Sequence, residues 1–147
     1  EELIDVLIQN GKTIDPVKTL DILIQREKLG STGIGDGVAI PHGKISDLDE
    51  MVMAFGRSIK GIAFDAVDGK TVKLCFLLLA PENSTAQHLK VLAQISKMVK
   101  TPGFRRKLME AKTKEALYNA IIEQDGFKSG QDNETPSFGA ACQRSPL

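Results

Sequence analysis

The chain has 147 residues, 41% of them hydrophobic and 26% charged, with 19 basic and 19 acidic side chains. That length suits one domain with a real core. The balanced charge gives no global basic field for nucleic acid or an anionic membrane. The longest apolar run, Leu74 to Ala80, is far too short to cross a bilayer. The N-terminus carries no secretory leader pattern. Cys75 lies inside the apolar run and reads as a small buried hydrophobe, whereas Cys142 lies in a polar stretch. No Cys/His spacing resembles a zinc site, and the simplest setting is reducing and cytoplasmic.

Leu3, Val6 and Leu7 mark a short amphipathic helix that stops at Gly11. Asp15-Pro16 supplies an N-cap followed by proline at the first helical position, opening a helix with Val17, Leu20, Leu23 and Ile24 on one face. Gly30 is placed to end it. A glycine-rich loop follows, then a short strand at 38–40. Strands are predicted at 51–59 and 72–79, separated by a turn at 65–69. The second is apolar on both faces, as a covered central strand is. Helices are predicted at 85–100, capped by Ser84 and carrying Leu89, Leu92, Ile95 and Val99. Two more follow, at 102–111 behind Thr101-Pro102 and at 113–123. Residues 126–147 are rich in Gly, Ser, Gln, Asn and Pro without periodicity and read as a disordered tail. The expected organisation is a domain over 1–125 followed by that tail. Helices before, between and after apolar strands give an α/β layered domain.

His42 is the leading candidate for chemistry, set between Pro41 and Gly43 at a strand end. It serves either as a turn residue or as a displayed imidazole. Gly33, Gly35, Gly37 and Gly43 leave backbone N–H groups unshielded, and such a loop can cradle an anion. A histidine beside it is a candidate phosphoryl acceptor. The loop is neither a Walker motif nor a dinucleotide fingerprint, because it leads into a strand without Gly-Lys-Ser/Thr. His88, one turn into a helix, is either a core-boundary residue or a second imidazole near a helix N-terminus. Arg26, at the end of the helix that empties into the loop, is either a solvated charge or a fork for phosphate oxygens. Asp36 either orients the imidazole or forms a turn.

Together these residues resemble a known family. Arg26-Glu27-Lys28-Leu29-Gly30, Ser31-Thr32-Gly33-Ile34-Gly35 and Val38-Ala39-Ile40-Pro41-His42-Gly43-Lys44 look like the phosphorylation motif of type-2 EIIA domains of the bacterial phosphotransferase system (PTS). The stretches 62–70 and 77–81, followed by Gln87-His88-Leu89, agree. The wording of the motif is most similar to the nitrogen-regulatory branch. The resemblance covers about 3–124. It implies an α/β/α layered sandwich around a central mixed β-sheet. It implies His42 as the phosphoryl acceptor, His88 and Arg26 as phosphate-stabilising residues, and Asp36 where mannitol-type domains have a Glu. The family places a strand before its first helix, and this chain begins at that helix. The implied donor is an HPr-like carrier. The implied receiver is either a regulated target protein or the cysteine of a IIB domain in sugar uptake. The implied chemistry is group transfer through a phosphohistidine, with no metal or cofactor. A non-catalytic binding module with a structural His42 is the alternative of a different class. An exposed apolar patch is expected beside His42, where a donor docks.

Overall fold

The computed structural model describes residues 1–124 and the backbone of a C-terminal strand, Ser137–Arg144. The chain divides into two compact units, Glu1–Asn83 with the C-terminal strand, and the helical stretch that starts at Ser84.

In the first unit, α1 (Glu2–Gln9) and α2 (Pro16–Lys28) precede β1 (Gly33–Gly35), β2 (Val38–Ala39), β3 (His42–Ile45), β4 (Val52–Ile62) and β5 (Val72–Pro81). Helix α2 starts as its cap dictates: the Asp15 carboxylate accepts the N–H groups of Val17 and Lys18 at 2.9 and 3.1 Å, with Pro16 at the first position. With β6 (Ser137–Arg144) the strands form one mixed sheet in the order β1-β2-β5-β4-β6, and β3 also pairs with β5. The expectation of a disordered tail is therefore corrected for the 8 residues of β6, which run parallel to β4. Residues 125–136 and 145–147 lie outside the described part.

Strands β2 and β3 keep one register along β5, pairing Val38 with Leu74 and His42 with Leu78, both in parallel. They are one line of chain interrupted at Pro41, which has no N–H to continue a ladder. The Pro41 carbonyl still accepts Leu78 N–H at 2.9 Å. His42 is thus the first residue of a strand rather than a residue beyond one. Strand β5 is central and apolar throughout its second half, as its sequence predicts. One sheet face, with Ile45, Val52, Ala54, Leu77 and Leu79, packs against Ile4, Val6 and Leu7 of α1 and Leu20, Ile22 and Leu23 of α2. The other face buries Met53, Phe55, Phe76 and Leu78. Phe55 and Phe76 are direct cross-strand partners, with ring centroids 4.8 Å apart.

The packing face of α2 differs from the expected one. Leu20 and Leu23 belong to it, but Val17 is 78% and Ile24 45% exposed, while Thr19 is buried. The apolar stripe is wider than the buried one, and burial follows the contact with β3 rather than hydropathy.

In the second unit, α3 (Thr85–Val99), α4 (Pro102–Glu110) and α5 (Lys114–Glu123) follow in sequence. Thr113 caps α5 by accepting Ala116 N–H at 3.0 Å. The buried stripe of α3 is His88, Val91, Ile95, Met98 and Val99. It is rotated from the expected one, and Leu89 is exposed. Among the described residues no helix is long and apolar enough to cross a membrane.

Candidate phosphoryl-acceptor site

The end of α2 and the start of β3 build the centre of the site. Arg26 lies in the last turn of α2, where its Nη1 donates to the Gly30 carbonyl at 3.0 Å. A cation there meets the negative end of the helix dipole. Its Nε–H points at His42 Nε2, 3.3 Å away, and the other ring nitrogen, Nδ1, lies 2.7 Å from the Ile40 carbonyl.

Those two contacts fix the tautomer. A carbonyl can only accept, so Nδ1 carries the hydrogen; a guanidinium can only donate, so Nε2 presents its lone pair. The ring is neutral in this arrangement, since a proton on Nε2 would face the Arg26 N–H. Burial shifts the pKa of His42 below the ordinary imidazole value of 6.5; the Ile40 bond opposes that shift, the Arg26 charge adds to it, and Glu27 opposes it.

Gly43 explains how α2 comes close enough. A Cβ built at Gly43 would lie 2.9 Å from Cγ2 of Ile22. Ile22 therefore rests on bare backbone beside His42. Arg26, four residues further along the helix, lies on the same face and reaches the ring itself.

The glycine-rich loop has a different construction from the expected anion cradle. β1 and β2 form a hairpin in which Gly35 pairs with Val38. Its tip residues, Asp36 and Gly37, have φ of 55° and 75°. Two positive φ values are what a type I′ turn needs, and Asp-Gly suits it. The Asp36 N–H donates to the Asp68 carboxylate at 3.1 Å. Bonds from the Lys70 and Asp36 amides hold the Asp68 carboxyl below its ordinary range. The amide at the hairpin tip thus already holds an anionic group. Gly33 has no room for a side chain, because a Cβ there would lie 2.8 Å from that of Ala66. The structure brings Arg26, His42 and Gly43 together. It places Asp36 as a turn residue at the hairpin tip and uses Gly33, Gly35 and Gly37 for turn geometry and close approach.

His88 lies in the second unit, in the first turn of α3, 5% exposed, with its N–H donated to the Ser84 carbonyl at 2.9 Å. Burial pushes the Cys75 thiol up to about 12, so it stays protonated. Among the described residues no group of three or more His, Cys, Asp or Glu side chains is arranged to hold a metal ion.

Residues 1–124 match the family described as "Phosphoenolpyruvate-dependent sugar phosphotransferase system, EIIA 2". The chain belongs to this family. The EIIA 2 domain is 44% identical over 101 residues to a nitrogen regulatory protein of Bradyrhizobium diazoefficiens, an alignment spanning 69% of this chain and 66% of that one. It is 37% identical over 123 residues to a fructose-specific EIIA component of Haloferax volcanii, spanning 84% of this chain and 80% of that one. The solved structure of IIA-Ntr from Neisseria meningitidis matches with a TM-score of 0.70 and 39% identity, covering 76% of this chain and 75% of that one. IIA mannitol from Escherichia coli shares the fold, with a TM-score of 0.64 at 19% identity, covering 78% of this chain and 80% of that one. The type-2 IIA fold expected from the motif is thus the fold of the domain: a mixed sheet with flanking helices.

Two residues at the site escaped the sequence reading. The Glu27 carboxylate accepts Thr32 N–H at 2.7 Å and the Thr32 hydroxyl at 2.6 Å. A carboxylate in the last turn of a helix opposes the dipole. That misplacement is the signal that could have singled out Glu27.

Proposed function

We propose that this EIIA 2 domain is a phosphocarrier that accepts a phosphoryl group on Nε2 of His42 from the phosphohistidine of an HPr-like protein. The observation that carries the proposal is the Ile40–His42–Arg26 arrangement, which holds a neutral imidazole with its lone pair outward from the carbonyl that fixes it.

The reaction is an in-line displacement. The Nε2 lone pair forms the new N–P bond while the donor's N–P bond breaks, its electron pair returning to the donor ring nitrogen. Nδ1 keeps its proton. The phosphorylated ring gains positive character, so the Nδ1–H bond to Ile40 strengthens as the reaction proceeds. Arg26 gives up its bond to Nε2 when phosphorus arrives, and its guanidinium is then beside the phosphoryl oxygens, where charge in a loose transition state collects. His88, matched through the Gln87-His88-Leu89 motif, is a second participant in our reading; Asp36 and the hairpin glycines act through the turn. The donor carries the activated phosphoryl group, so the step needs no metal or cofactor. Leu29, 85% exposed, and Ile24 put apolar surface beside Arg26 for a docking protein.

Similarity to nitrogen regulatory proteins favours a regulatory role in the cytoplasm, with phosphorylation changing which target proteins bind. Similarity to a fructose-specific EIIA component favours the second reading, transfer onward to a IIB domain. Incubation with enzyme I, HPr and phosphoenolpyruvate tests acceptance: the wild type gains acid-labile phosphate and His42→Ala gains none. Equal labelling of both refutes the proposal. Loss of label to an added IIB domain selects the transport reading, and retention selects the regulatory one.

A further inference from the structure

His42 and Arg26 are two stations of a closed hydrogen-bonded circuit. Glu27 follows Arg26 in α2 and receives both donors of Thr32, the N–H at 2.7 Å and the hydroxyl at 2.6 Å. The Thr32 carbonyl receives Ile40 N–H at 2.9 Å. The Ile40 carbonyl receives His42 Nδ1–H at 2.7 Å, and His42 Nε2 receives Arg26 Nε–H at 3.3 Å, which returns the path to α2. Thr32 is 4% exposed, so its hydroxyl has little access to water as an alternative partner. Bonds from two donors to one carboxylate are charge-assisted and directional.

We propose that Glu27 and Thr32 are positioning residues for the phosphoryl acceptor: they pin the end of α2 to the base of the β1–β2 hairpin and, through Ile40, set the carbonyl that holds the His42 tautomer. This rests on the reading of His42 as acceptor. The link is positional. The N–H and C=O of Thr32 belong to different peptide groups, as do those of Ile40, so no single amide passes polarisation along the path. What passes is placement. Thr32 can hold Ile40 in register with the hairpin only while its own backbone is held, and Arg26 keeps its line to Nε2 only while the last turn of α2 is tied down. An unfavourable carboxylate at a helix C-terminus is accounted for by that tie, which a residue merely facing solvent there would not provide.

The test uses the full chain with three variants. Thr32→Val removes the hydroxyl and keeps the backbone bond. Thr32→Ser keeps both. Glu27→Ala removes both acceptor oxygens and leaves the two Thr32 donors without the carboxylate. Two quantities are read: the nitrogen-15 shifts of the His42 ring, which report the tautomer, and the rate of phosphate acceptance from phosphorylated HPr. With amide spectra elsewhere like the wild type, Thr32→Val and Glu27→Ala are expected to lose the fixed Nδ1–H tautomer and to slow acceptance about tenfold or more, a reacting group being that sensitive to small misplacement. Thr32→Ser restores both. A fixed tautomer and a wild-type rate in Thr32→Val and Glu27→Ala overturn the proposal, as does a Thr32→Ser variant no better than Thr32→Val. If the wild type itself takes no phosphate, the acceptor reading fails separately. The ring spectra then decide on their own whether Glu27 and Thr32 position the imidazole.

Discussion

Replacing Gly43 with alanine tests how α2 is seated on the site. The new Cβ would meet Ile22 Cγ2 at 2.9 Å, whereas ordinary contact begins at 3.4 Å. The gap to be opened is about 0.5 Å at least. Cγ2 of isoleucine sits directly on Cβ, and a β-branched side chain in a helix has little freedom at χ1, so the backbone of α2 must move. Transmitted to Arg26, a shift of that size takes the contact with His42 Nε2 from 3.3 Å to about 3.8 Å, beyond a useful hydrogen bond. Overpacking of this kind costs roughly 1–3 kcal/mol, and the rate of phosphate acceptance is expected to fall roughly ten- to a hundredfold. Urea unfolding and labelling from phosphorylated HPr measure the two effects. Ile22→Ala combined with Gly43→Ala removes the offending methyl and should recover part of both losses, a coupling that a double-mutant cycle isolates. A Gly43→Ala variant with wild-type stability and rate would refute the idea that bare backbone at 43 seats the helix. So would a double variant with simply additive losses.

Three further outcomes are expected. Arg26→Lys keeps a charge but not the Nε–H fork, and acceptance should fall about 10²–10³-fold, the usual cost of losing one donor aimed at developing charge; a wild-type rate would remove Arg26 from the chemistry. Because burial holds the His42 pKa below 6.5, acceptance should hold steady as pH falls to 6.5 and decline only below the folded pKa. Stability should decrease earlier, as pH falls from about 6.5 toward the folded pKa, since the unfolded ring takes up its proton first; a ring titration midpoint at or above 6.5 would contradict this. Leu29→Glu should raise the HPr concentration needed for half-maximal labelling while leaving the His42 tautomer unchanged, and an unchanged HPr dependence would mean that this apolar surface is not where the donor docks.

Most of the framework is legible in the sequence because it depends on local chemistry. Asp15-Pro16 sets where α2 begins, the apolar run at 74–80 makes β5 central, and Pro41 interrupts the line of β2 and β3 just before His42. The helix faces were harder to read. Val17, Ile24 and Leu89 fit the periodicity yet are exposed, because burial is decided by which neighbour a helix meets and not by hydropathy along it. The glycines also carry structural duties that their residue type does not disclose. Unshielded amides suggest an anion cradle, but Gly33 is set by the approach of Ala66, the turn at 36–37 by its positive φ values, and Gly43 by Ile22. Each of those causes lies in a residue far along the chain or in a backbone angle. The group that fixes the His42 tautomer is a backbone carbonyl, and residue types alone do not disclose it.

The nitrogen of His42 that carries phosphorus tests the central claim most directly. Phosphorus-31 and nitrogen-15 spectra of the labelled domain distinguish the two ring positions. With Nδ1–H held by Ile40 and the lone pair on Nε2, the phosphoryl group is expected on Nε2 of His42, with Nδ1 still protonated. Phosphate on Nδ1, or on any other residue, would contradict it.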